Sequence, residues 1–285
     1  MLRRDAVAVL LGAGARGLAG ASKRLEEVVG DIPGAALLVD VKTRRLIAVH
    51  APDLAGALLV PPGSVIKPFT IEALLQAGKI RDDEAFPCSG KLAIGGRAFN
   101  CSHPPVASPM QVRTALAYSC NCFVAHFAER FAPGELAAHL IRCGLSSRTG
   151  WLGDSEGPGR VQRAMGREAQ QLQAIGEGSV LVTAATMALG YRRLAVSANE
   201  AIRSGLEGAV EFGTAQHARV AGVSVAGKTG SVRAADRNMI AWFCGFAPSR
   251  AASAVVTVML QGRSGGADAA PVAGRILEAH LAGRL

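Results

Sequence analysis

The sequence predicts an α+β fold, in which one antiparallel sheet is built from strands at both ends of the chain and lies beside a mostly helical lobe. Residues 35–50 form two strand-like runs with a polar turn at 42–44. Apolar runs return near the C-terminus, the longest at 254–261. Residues 64–208, between these groups, are mostly helical in pattern. We therefore expect a sheet of about five strands and a site in the cleft between sheet and lobe.

The remaining C-terminal segments complete this pattern. A short strand-like run at 223–225 leads towards Lys228, and a longer one spans 239–247. Residues 271–282 carry apolar side chains at helical spacing, which predicts an amphipathic helix. The length of 285 residues and the hydrophobic content of 49% suit one large domain or two closely joined lobes.

The charge balance argues against nucleic acid as a partner. Lys and Arg number 31 against 22 Asp and Glu, which gives a net charge of +9. The positive residues are scattered rather than gathered in a run, and only two Trp and two Tyr are present to stack on bases. A basic surface suits an anionic cell envelope, or simply a soluble protein.

Residues 1–21 have the features of an export signal. Arg3 and Arg4 precede a weakly apolar stretch at 6–15, and Ala19–Ala21 offers a small-residue cleavage site. The Arg pair favours a twin-arginine route, which predicts an exported, periplasmic or extracytoplasmic domain over 22–285, tethered by the first residues if they are retained. The alternative is an ordinary amphipathic first helix. No later segment has the roughly 18 unbroken apolar residues of a membrane span.

The cysteines allow disulfides in an exported protein. Six are present, at positions 88, 101, 120, 122, 143 and 244. Cys88 and Cys101 flank a hairpin predicted around 95–96, so they are the preferred pair. Cys120 and Cys122 form a C-x-C, whose spacing is poor for tetrahedral zinc without a second pair of ligands. The sequence therefore predicts no metal, and no cofactor.

The first chemical motif is Ser64-Val-Ile-Lys67, which follows a Pro-Pro-Gly sequence at 61–63 that interrupts regular secondary structure. Residues 65–78 read as a helix, in which Pro68 falls in the tolerant first turn. Ser64 would then stand at the helix N-terminus, and Lys67 lies three residues on, on the same face. A serine hydroxyl needs a neighbouring base to become nucleophilic, and a buried lysine with a lowered pKa can serve. Alone, the same pattern fits an N-cap serine beside an exposed lysine.

The second motif is Ser119-Cys120-Asn121, at the junction of two helical segments, 113–118 and 123–130. Ser119 can relay a proton between a lysine and a leaving group. Asn121 offers a donor and an acceptor, which suits a substrate amide. Taken alone, the motif equally fits capping residues at a helix break.

The third motif is Lys228-Thr229-Gly230, followed by Ser231. On a strand, Lys228 supplies positive charge, while Thr229 and Ser231 supply hydroxyls for a carboxylate. Gly230 lets a ligand approach the backbone. Main-chain N–H groups near Ser231 and Ser64 would form an oxyanion hole.

The same residues also match a phosphate-binding loop. The string at 222–229, GVSVAGKT, satisfies the Walker pattern. A true phosphate loop opens a helix, whereas here a further strand is predicted after 232–238. Nucleotide binding is therefore the weaker interpretation.

With the three motifs in this order, the chain resembles the penicillin-binding transpeptidase domain, and is most similar to the class B enzymes that cross-link peptidoglycan. The likeness runs over about residues 34–262. Other strings carry it as well: 100–103 (NCSH), 115–121 (ALAYSCN), 174–178 (AIGEG) with 182–183 (VT), 213–215 (GTA) and 241–248 (AWFCGFAP).

This resemblance implies a β-lactamase/transpeptidase-like fold and a D,D-transpeptidase that acts through a serine acyl-enzyme. It implies stem peptides ending in D-alanyl-D-alanine as substrates, acylation by β-lactams, and cell-wall synthesis proteins as partners. The motifs carry over these roles: nucleophile Ser64, base Lys67, relay Ser119, substrate contact Asn121, and carboxylate binding by Lys228, Thr229 and Ser231.

Three departures from the family keep other functions open. The large N-terminal pedestal domain of class B enzymes is not in this sequence, Glu177 stands where the family usually has glutamine, and the segment 121–228 is compact. A class D-like serine β-lactamase and a D,D-carboxypeptidase share the scaffold, and a non-catalytic β-lactam sensor would be acylated and remain so. Glu177 is a candidate for deacylation, although we expect it to lie on the surface in a Gly-flanked turn.

Overall fold

The computed structural model describes residues 17–234 and 238–285 and confirms the α+β fold. Five strands form one antiparallel sheet in the order β2-β1-β9-β8-β7. These strands are β1 (Gly34–Asp40), β2 (Leu46–His50), β7 (Ala226–Arg233), β8 (Met239–Ala247) and β9 (Ala254–Gln261). As expected, the first two come from the N-terminal part of the chain and the last three from the C-terminal part.

The helical lobe lies between these two groups in sequence and packs on one face of the sheet. Its helices are α2 (Pro52–Ala57), α3 (Lys67–Gln76), α4 (Val112–Ala117), α5 (Asn121–Ala128), α6 (Glu135–Arg142), α7 (Arg167–Ala174), α8 (Ala184–Ser197) and α9 (Glu200–Glu211). Two short antiparallel two-stranded sheets accompany them, β3 (Ala93–Ile94) with β4 (Arg97–Ala98), and β5 (Arg160–Val161) with β6 (Val180–Leu181). The first of these is the predicted hairpin around 95–96.

The opposite face of the sheet is covered by helices from the two ends of the described chain. One is α1, residues 17–29, and the other is α10 (Ala270–Leu281). Side chains along β9 alternate between the two layers: Val256 and Val258 pack with α1 and α10, whereas Val255 and Met259 face the lobe. Because both faces are covered, the central strands are apolar at nearly every position.

The N-terminal signal prediction falls mostly outside the described residues. Only 17–21 of the predicted signal belong to the structure, where they begin α1. Ala21, Leu25 and Val29 on this helix are buried against the sheet. Among residues 17–234 and 238–285, no helix is both long and apolar enough to cross a membrane.

Helix α3 is anchored in the lobe by a buried charged cluster. Glu72 on α3 accepts hydrogen bonds from His139 of α6 at 3.0 Å and from Arg193 of α8 at 2.7 Å. Burial opposes a charge on Glu72, but these two hydrogen bonds outweigh it and lower its pKa. Tyr191 of α8 also donates to the main-chain oxygen of Val65, at 2.9 Å. The helix that follows the first motif is therefore held from two sides.

Candidate active site

Ser64 lies in a tight turn that leads directly into α3. Residues Gly63–Ile66 form one 3₁₀ turn, and α3 continues from Lys67. The sequence predicted one helix from residue 65, so the start of that helix is wound more tightly than expected. Gly63 has a φ of 53°, a left-handed conformation that favours glycine. The turn leaves Ser64 partly exposed at the floor of a cleft.

Lys67 is fully buried, and its ammonium group faces the second motif. Its Nζ donates to the main-chain oxygen of Ser119 at 2.7 Å, to Ser119 Oγ at 3.2 Å and to Asn121 Oδ1 at 2.5 Å. Burial lowers the pKa of Lys67 to about 8. A lysine with this pKa is neutral in part of the population at neutral pH, and a neutral amine can accept a proton.

The second motif forms the turn between α4 and α5. Ser119 has a φ of 58°, which is uncommon for a residue with a side chain and is found at functional sites. Cys120 then caps α5 by accepting a hydrogen bond from the main-chain N–H of Phe123. This turn directs both the carbonyl and the hydroxyl of Ser119 to Lys67, in agreement with the relay role implied by the resemblance.

Asn121 connects the second motif to the β3–β4 hairpin. Its Oδ1 accepts from Lys67, while its Nδ2 donates to the main-chain oxygens of Phe99 at 2.9 Å and Asn100 at 3.4 Å. The sequence indicated a substrate contact, and Asn121 does line the cleft. The structure adds a positioning role, because both ends of its amide already have protein partners.

The third motif lies on β7, the last strand in the order of the sheet. Eight consecutive residue pairs join β7 to β8, and Gly230 and Val232 of β7 lie against the turn that carries Ser64. Thr229 Oγ1 is 2.7 Å from Thr214 Oγ1, and Ser231 Oγ accepts from the main-chain N–H of Gly265 at 3.0 Å. On an edge strand, alternate N–H groups are not used by the sheet and remain available for a ligand.

Gly230 is required by the approach of this strand to the nucleophile turn. A Cβ atom at Gly230 would lie 3.0 Å from the main-chain oxygen of Pro62 and 3.2 Å from the nitrogen of Val65. The sequence predicted that Gly230 clears space for a ligand. It also clears space for the backbone beside Ser64.

Lys228 is fully buried beneath the third motif, and its Nζ donates to the main-chain oxygen of Thr229 at 3.0 Å. Burial, together with the charge of Lys67, lowers its pKa well below the usual range. The sequence implied that Lys228 binds a carboxylate, but it is not among the side chains that line the cleft. Its location suits an electrostatic role from behind Thr229 and Ser231.

Most of the predicted site residues line one cleft, which has a volume of about 400 Å³. Six predicted residues line it: Ser64, Ser119, Asn121, Thr229, Gly230 and Ser231. The site prediction missed five others: Asn100, Ser102, Thr214, Ser264 and Gly266. Of these, Asn100, Ser102 and Thr214 fall in strings that carried the family likeness, whereas nothing marked the other two. All of these lining residues are Ser, Thr, Asn or Gly, so the side chains that reach the cleft can donate and accept hydrogen bonds.

The phosphate-loop interpretation is wrong. Lys228 and Thr229 lie inside β7, and the next element is β8, so they do not open a helix. Their main-chain groups are committed to a sheet edge rather than to a helix N-terminus, where a phosphate would bind.

Glu177 is less exposed than expected from its Gly-flanked turn. Its side chain is 22% exposed and lies 3.7 Å from the Arg97 side chain of the β3–β4 hairpin. Burial raises its pKa, although the charge of Arg97 opposes this. Among the described residues that line the cleft, Glu177 does not appear. The geometry gives it a contact with the hairpin rather than with Ser64.

The structure departs from the predicted disulfide and from the premise of the argument against a metal. All six are free thiols, and the Sγ atoms of Cys88 and Cys101 are 3.7 Å apart, far beyond the ~2.05 Å of a disulfide. The argument against a metal rested on the lack of a second ligand pair beside Cys120 and Cys122. That premise is wrong, because the hairpin brings Cys88 and Cys101 to these two residues.

A family comparison agrees with this geometry. The model of the penicillin binding protein transpeptidase domain matches residues 34–278, which is most of the chain. The chain belongs to this transpeptidase domain family. Its five-stranded sheet and helical lobe are the fold of that family, and the three motifs meet in one cleft.

Two curated relatives of the transpeptidase domain are bacterial proteins. The chain is 24% identical to the probable peptidoglycan D,D-transpeptidase PenA of Neisseria flavescens, over 87% of this chain and 75% of that protein. It is 25% identical to the stage V sporulation protein D of Bacillus subtilis, over 77% of this chain. The match spans only 42% of the sporulation protein.

Solved structures of similar fold include other penicillin-binding proteins. Pseudomonas aeruginosa PBP2, in complex with WCK 5153, has a TM-score of 0.80 at 20% identity, covering 91% of this chain and 76% of that one. Helicobacter pylori PBP2, in a complex with MreC, has a TM-score of 0.81 at 18% identity, covering 92% of this chain and 63% of that one. At these identities, the likeness establishes the transpeptidase fold.

Proposed function

We propose that this protein is a peptidoglycan D,D-transpeptidase in which Ser64 is acylated by the D-alanyl-D-alanine end of a stem peptide. The observation that carries this proposal is the environment of Lys67. Its buried amine has a pKa of about 8, lies one turn from Ser64, and donates to both Ser119 and Asn121. This arrangement supplies a base and a proton relay beside a serine in a polar cleft.

Acylation begins when neutral Lys67 takes the proton from Ser64 Oγ. With a pKa of about 8, about one tenth of the Lys67 side chains are neutral at pH 7. The Oγ atom then forms a bond to the carbonyl carbon of the penultimate D-alanine. The peptide C–N bond breaks, and the terminal D-alanine leaves as an amine, after Lys67 has returned the proton through the Ser119 hydroxyl.

The β7 side of the cleft would bind the charged end of the substrate. The hydroxyls of Thr229 and Ser231 face the cleft, and Lys228 lies directly behind them. A bound carboxylate would raise the pKa of Lys228, because a nearby negative charge favours the ammonium form. The main-chain N–H groups of Ser64 and Ser231 are the candidates for stabilising the oxyanion.

The fate of the acyl group distinguishes this function from its alternatives. A transpeptidase transfers the acyl group to an amine, which forms a new amide bond and frees Ser64 Oγ. A D,D-carboxypeptidase or a class D-like β-lactamase transfers it to water. Glu177 does not support the water route, since its side chain is directed to Arg97. A non-catalytic sensor would keep the acyl group, whereas intact Lys67 and Ser119 favour turnover of the natural substrate.

Labelling with a fluorescent penicillin tests the acylation step. We expect stable labelling of the wild-type protein and none of the Ser64→Ala variant. Ser155→Ala is a matched control, because Ser155 is an exposed serine outside the cleft. Absence of labelling in folded wild-type protein, or equal labelling of Ser64→Ala, would contradict the proposal.

A second assay identifies the acceptor. A stem peptide ending in D-alanyl-D-alanine is incubated with an amine-bearing acceptor peptide, and the products are separated by mass. A cross-linked peptide is the expected result. A shortened peptide alone would indicate a carboxypeptidase. Rapid release of hydrolysed penicillin would indicate a β-lactamase, and stable labelling without either peptide product would indicate a sensor.

We further propose that the protein acts outside the cytoplasm with other cell-wall synthesis proteins. The proposed substrate is a component of the cell wall, and H. pylori PBP2 is known in a complex with MreC. Fractionation of cells that produce a tagged full chain tests the location. Recovery only from the cytoplasmic fraction would contradict it.

A further inference from the structure

Cysteines from two distant segments meet behind the second motif. Cys88 and Cys101 flank the β3–β4 hairpin, and Cys120 lies between Ser119 and Asn121. The Sγ of Cys101 is 3.7 Å from that of Cys88 and 3.8 Å from that of Cys120, and the Cys88 and Cys120 sulfurs are 3.4 Å apart. Three thiols from two segments of the chain, with no disulfide between them, therefore lie in mutual contact.

The spacing of these atoms matches the edges of a metal-centred tetrahedron. Zinc–sulfur bonds of about 2.3 Å place two ligand sulfurs about 3.8 Å apart. A zinc–nitrogen bond of about 2.0–2.1 Å gives a sulfur–nitrogen edge of about 3.6 Å. His103 Nε2 lies 3.6 Å from Cys88 Sγ. The four donor atoms of Cys88, Cys101, His103 and Cys120 all lie within 4.8 Å of one another.

The ring of His103 is held in the form that a metal requires. Its Nδ1 is 2.8 Å from the main-chain oxygen of Pro104. A carbonyl oxygen can only accept a hydrogen bond, so Nδ1 carries a proton, which leaves Nε2, on the side of Cys88, as the nitrogen that a metal can take. A hydrogen bond from the second ring nitrogen to a main-chain carbonyl is a usual accompaniment of metal-binding histidines.

Each of the three sulfurs also accepts a hydrogen bond from a main-chain N–H group. The donors are Gly90 to Cys88 at 3.3 Å, Asn121 to Cys101 at 3.2 Å, and Phe123 to Cys120 at 3.4 Å. A metal-bound sulfur carries negative charge, and main-chain N–H groups directed at it are compatible with that charge.

Cys122 belongs to the same region but is used differently. Its sulfur is 3.7 Å from Cys101 Sγ, and its thiol is positioned to donate to the main-chain oxygen of Lys91 at 3.5 Å. A group that donates a proton to a carbonyl is held as a thiol. Cys122 therefore offers a matched control for the other three cysteines.

We propose that Cys88, Cys101, Cys120 and His103 bind one divalent ion of the zinc class. Three cysteines and one histidine in a tetrahedron are a common structural zinc set, and soft thiolates favour zinc over magnesium or calcium. Binding replaces the thiol protons, so up to three protons are released for each ion bound. The residue that separates the two polar members of the second motif thus becomes a metal ligand.

The ion would fix the cleft side that carries Ser119 and Asn121. Two ligands lie on either side of the hairpin whose main-chain oxygens accept from Asn121 Nδ2, and a third precedes Asn121 itself. An ion bound by all of them would hold the hairpin and the second motif in register. This role is structural and separate from acyl transfer, so it is measured by metal content and not by enzyme activity.

Metal titration of the full chain tests the site. The protein is reduced, stripped with a chelator, and titrated with Zn²⁺, or with Co²⁺ as a spectroscopic probe. We expect one ion per chain and a sulfur-to-cobalt charge-transfer band. Cys88→Ser, Cys101→Ser and Cys120→Ser should each weaken binding by at least about 100-fold, and His103→Ala by about 10- to 100-fold. Cys122→Ser and Cys244→Ser should bind as the wild type does.

Three outcomes would overturn the proposal. The reduced protein takes up no ion, or uptake is unchanged in the three ligand variants, or Cys122→Ser loses binding while His103→Ala retains it. If a serine variant does not fold, alkylation of the wild type replaces it: bound Zn²⁺ should protect Cys88, Cys101 and Cys120, as mapped by mass spectrometry. Equal alkylation with and without Zn²⁺, or a Cys88–Cys101 disulfide in a protein that binds no ion after reduction, would contradict the assignment.

Discussion

The two walls of the cleft are built by different means. The strand wall, Thr229 to Ser231, is part of β7, and its position is fixed by the eight residue pairs between β7 and β8. The loop wall, Ser119 and Asn121 with Phe99 and Asn100 beside the hairpin, is not part of the five-stranded sheet. It depends on individual hydrogen bonds to Lys67 and to the hairpin, and on a turn in which Ser119 has a positive φ.

The strand wall therefore shapes the cleft, whereas the loop wall positions the groups that move protons. The strand wall offers small side chains and a regular backbone, which suit the binding of an extended peptide. The loop wall holds the relay, Ser119, and contacts the base, Lys67; the relative positions of these two groups decide whether a proton can move. Changes that add bulk should therefore act mainly on the strand wall, and changes that remove a hydrogen bond mainly on the loop wall.

Among the substitutions that alter one wall of the cleft, the largest effect is expected from bulk on the strand wall, in Gly230→Val. The new side chain would press on Pro62 and Val65, which flank Ser64 in space, so the serine would be displaced from the strand. We expect penicillin acylation to slow by roughly 100-fold. Gly157→Val is the matched control, because a Cβ there would lie no closer than 3.7 Å to another group. Equal loss in both variants, measured by stopped-flow labelling, would mean that the loss is not specific to the strand wall.

On the loop wall, Asn121→Ala should slow acylation by roughly 30-fold. It removes the acceptor for Lys67 Nζ and the two donors to the hairpin, and hydrogen bonds to a charged group contribute about 1.5–3 kcal/mol. Asn199→Ala serves as the control, since it removes a cap of α9 and costs stability without touching the cleft. If the control slowed labelling equally, the loss would reflect stability rather than the loop wall.

The pH dependence of acylation tests Lys67 as the base that the loop wall contacts. The lowered pKa of about 8 means that the neutral base is lost as pH falls below that value. We expect the acylation rate to be constant above about 8 and to fall about tenfold per pH unit below it. Lys67→Arg should be nearly inactive and show no such rise, because arginine stays protonated. A wild-type rate that does not change with pH would exclude Lys67 as the base.

The smallest effect is expected at Thr214, which supports the strand wall by a single contact. Thr214→Val keeps the shape but removes the 2.7 Å hydrogen bond to Thr229. Loss of one neutral hydrogen bond of about 1 kcal/mol should weaken acylation about fivefold. Thr257→Val, at a buried β9 position that does not line the cleft, should leave labelling unchanged. No change in Thr214→Val would mean that the strand wall needs no support beyond the sheet.

The parts that were predictable from sequence depend on local patterns. The apolar run at 254–261 predicted a strand, and β9 occupies those residues. The run is continuous because both faces of this strand are covered in the fold. Ser64 and Lys67 were recognisable because three residues of helix fix their relative position. The glycine at position 230 indicated close approach, which the turn around Ser64 provides.

The parts that were missed depend on contacts between distant segments. Lys228 looked like a ligand-binding cation, but only the packing of the lobe against the sheet shows that it is fully buried behind Thr229. Cys88 and Cys101 suggested a disulfide. Nothing local revealed that the sulfur of Cys101 also lies 3.8 Å from that of Cys120, which is 19 residues later in the chain. Ser264 and Gly266 enter the cleft only through the fold.

The contact between two glycines limits how this protein can change under antibiotic selection. Gly63 N–H donates to the main-chain oxygen of Gly176 at 3.0 Å, and a methyl group on Gly176 would overlap the carbonyl of Gly63. Both residues have positive φ, so neither position accepts another amino acid without strain. Single substitutions that slow acylation by β-lactams while leaving the chain folded should therefore not arise at either glycine.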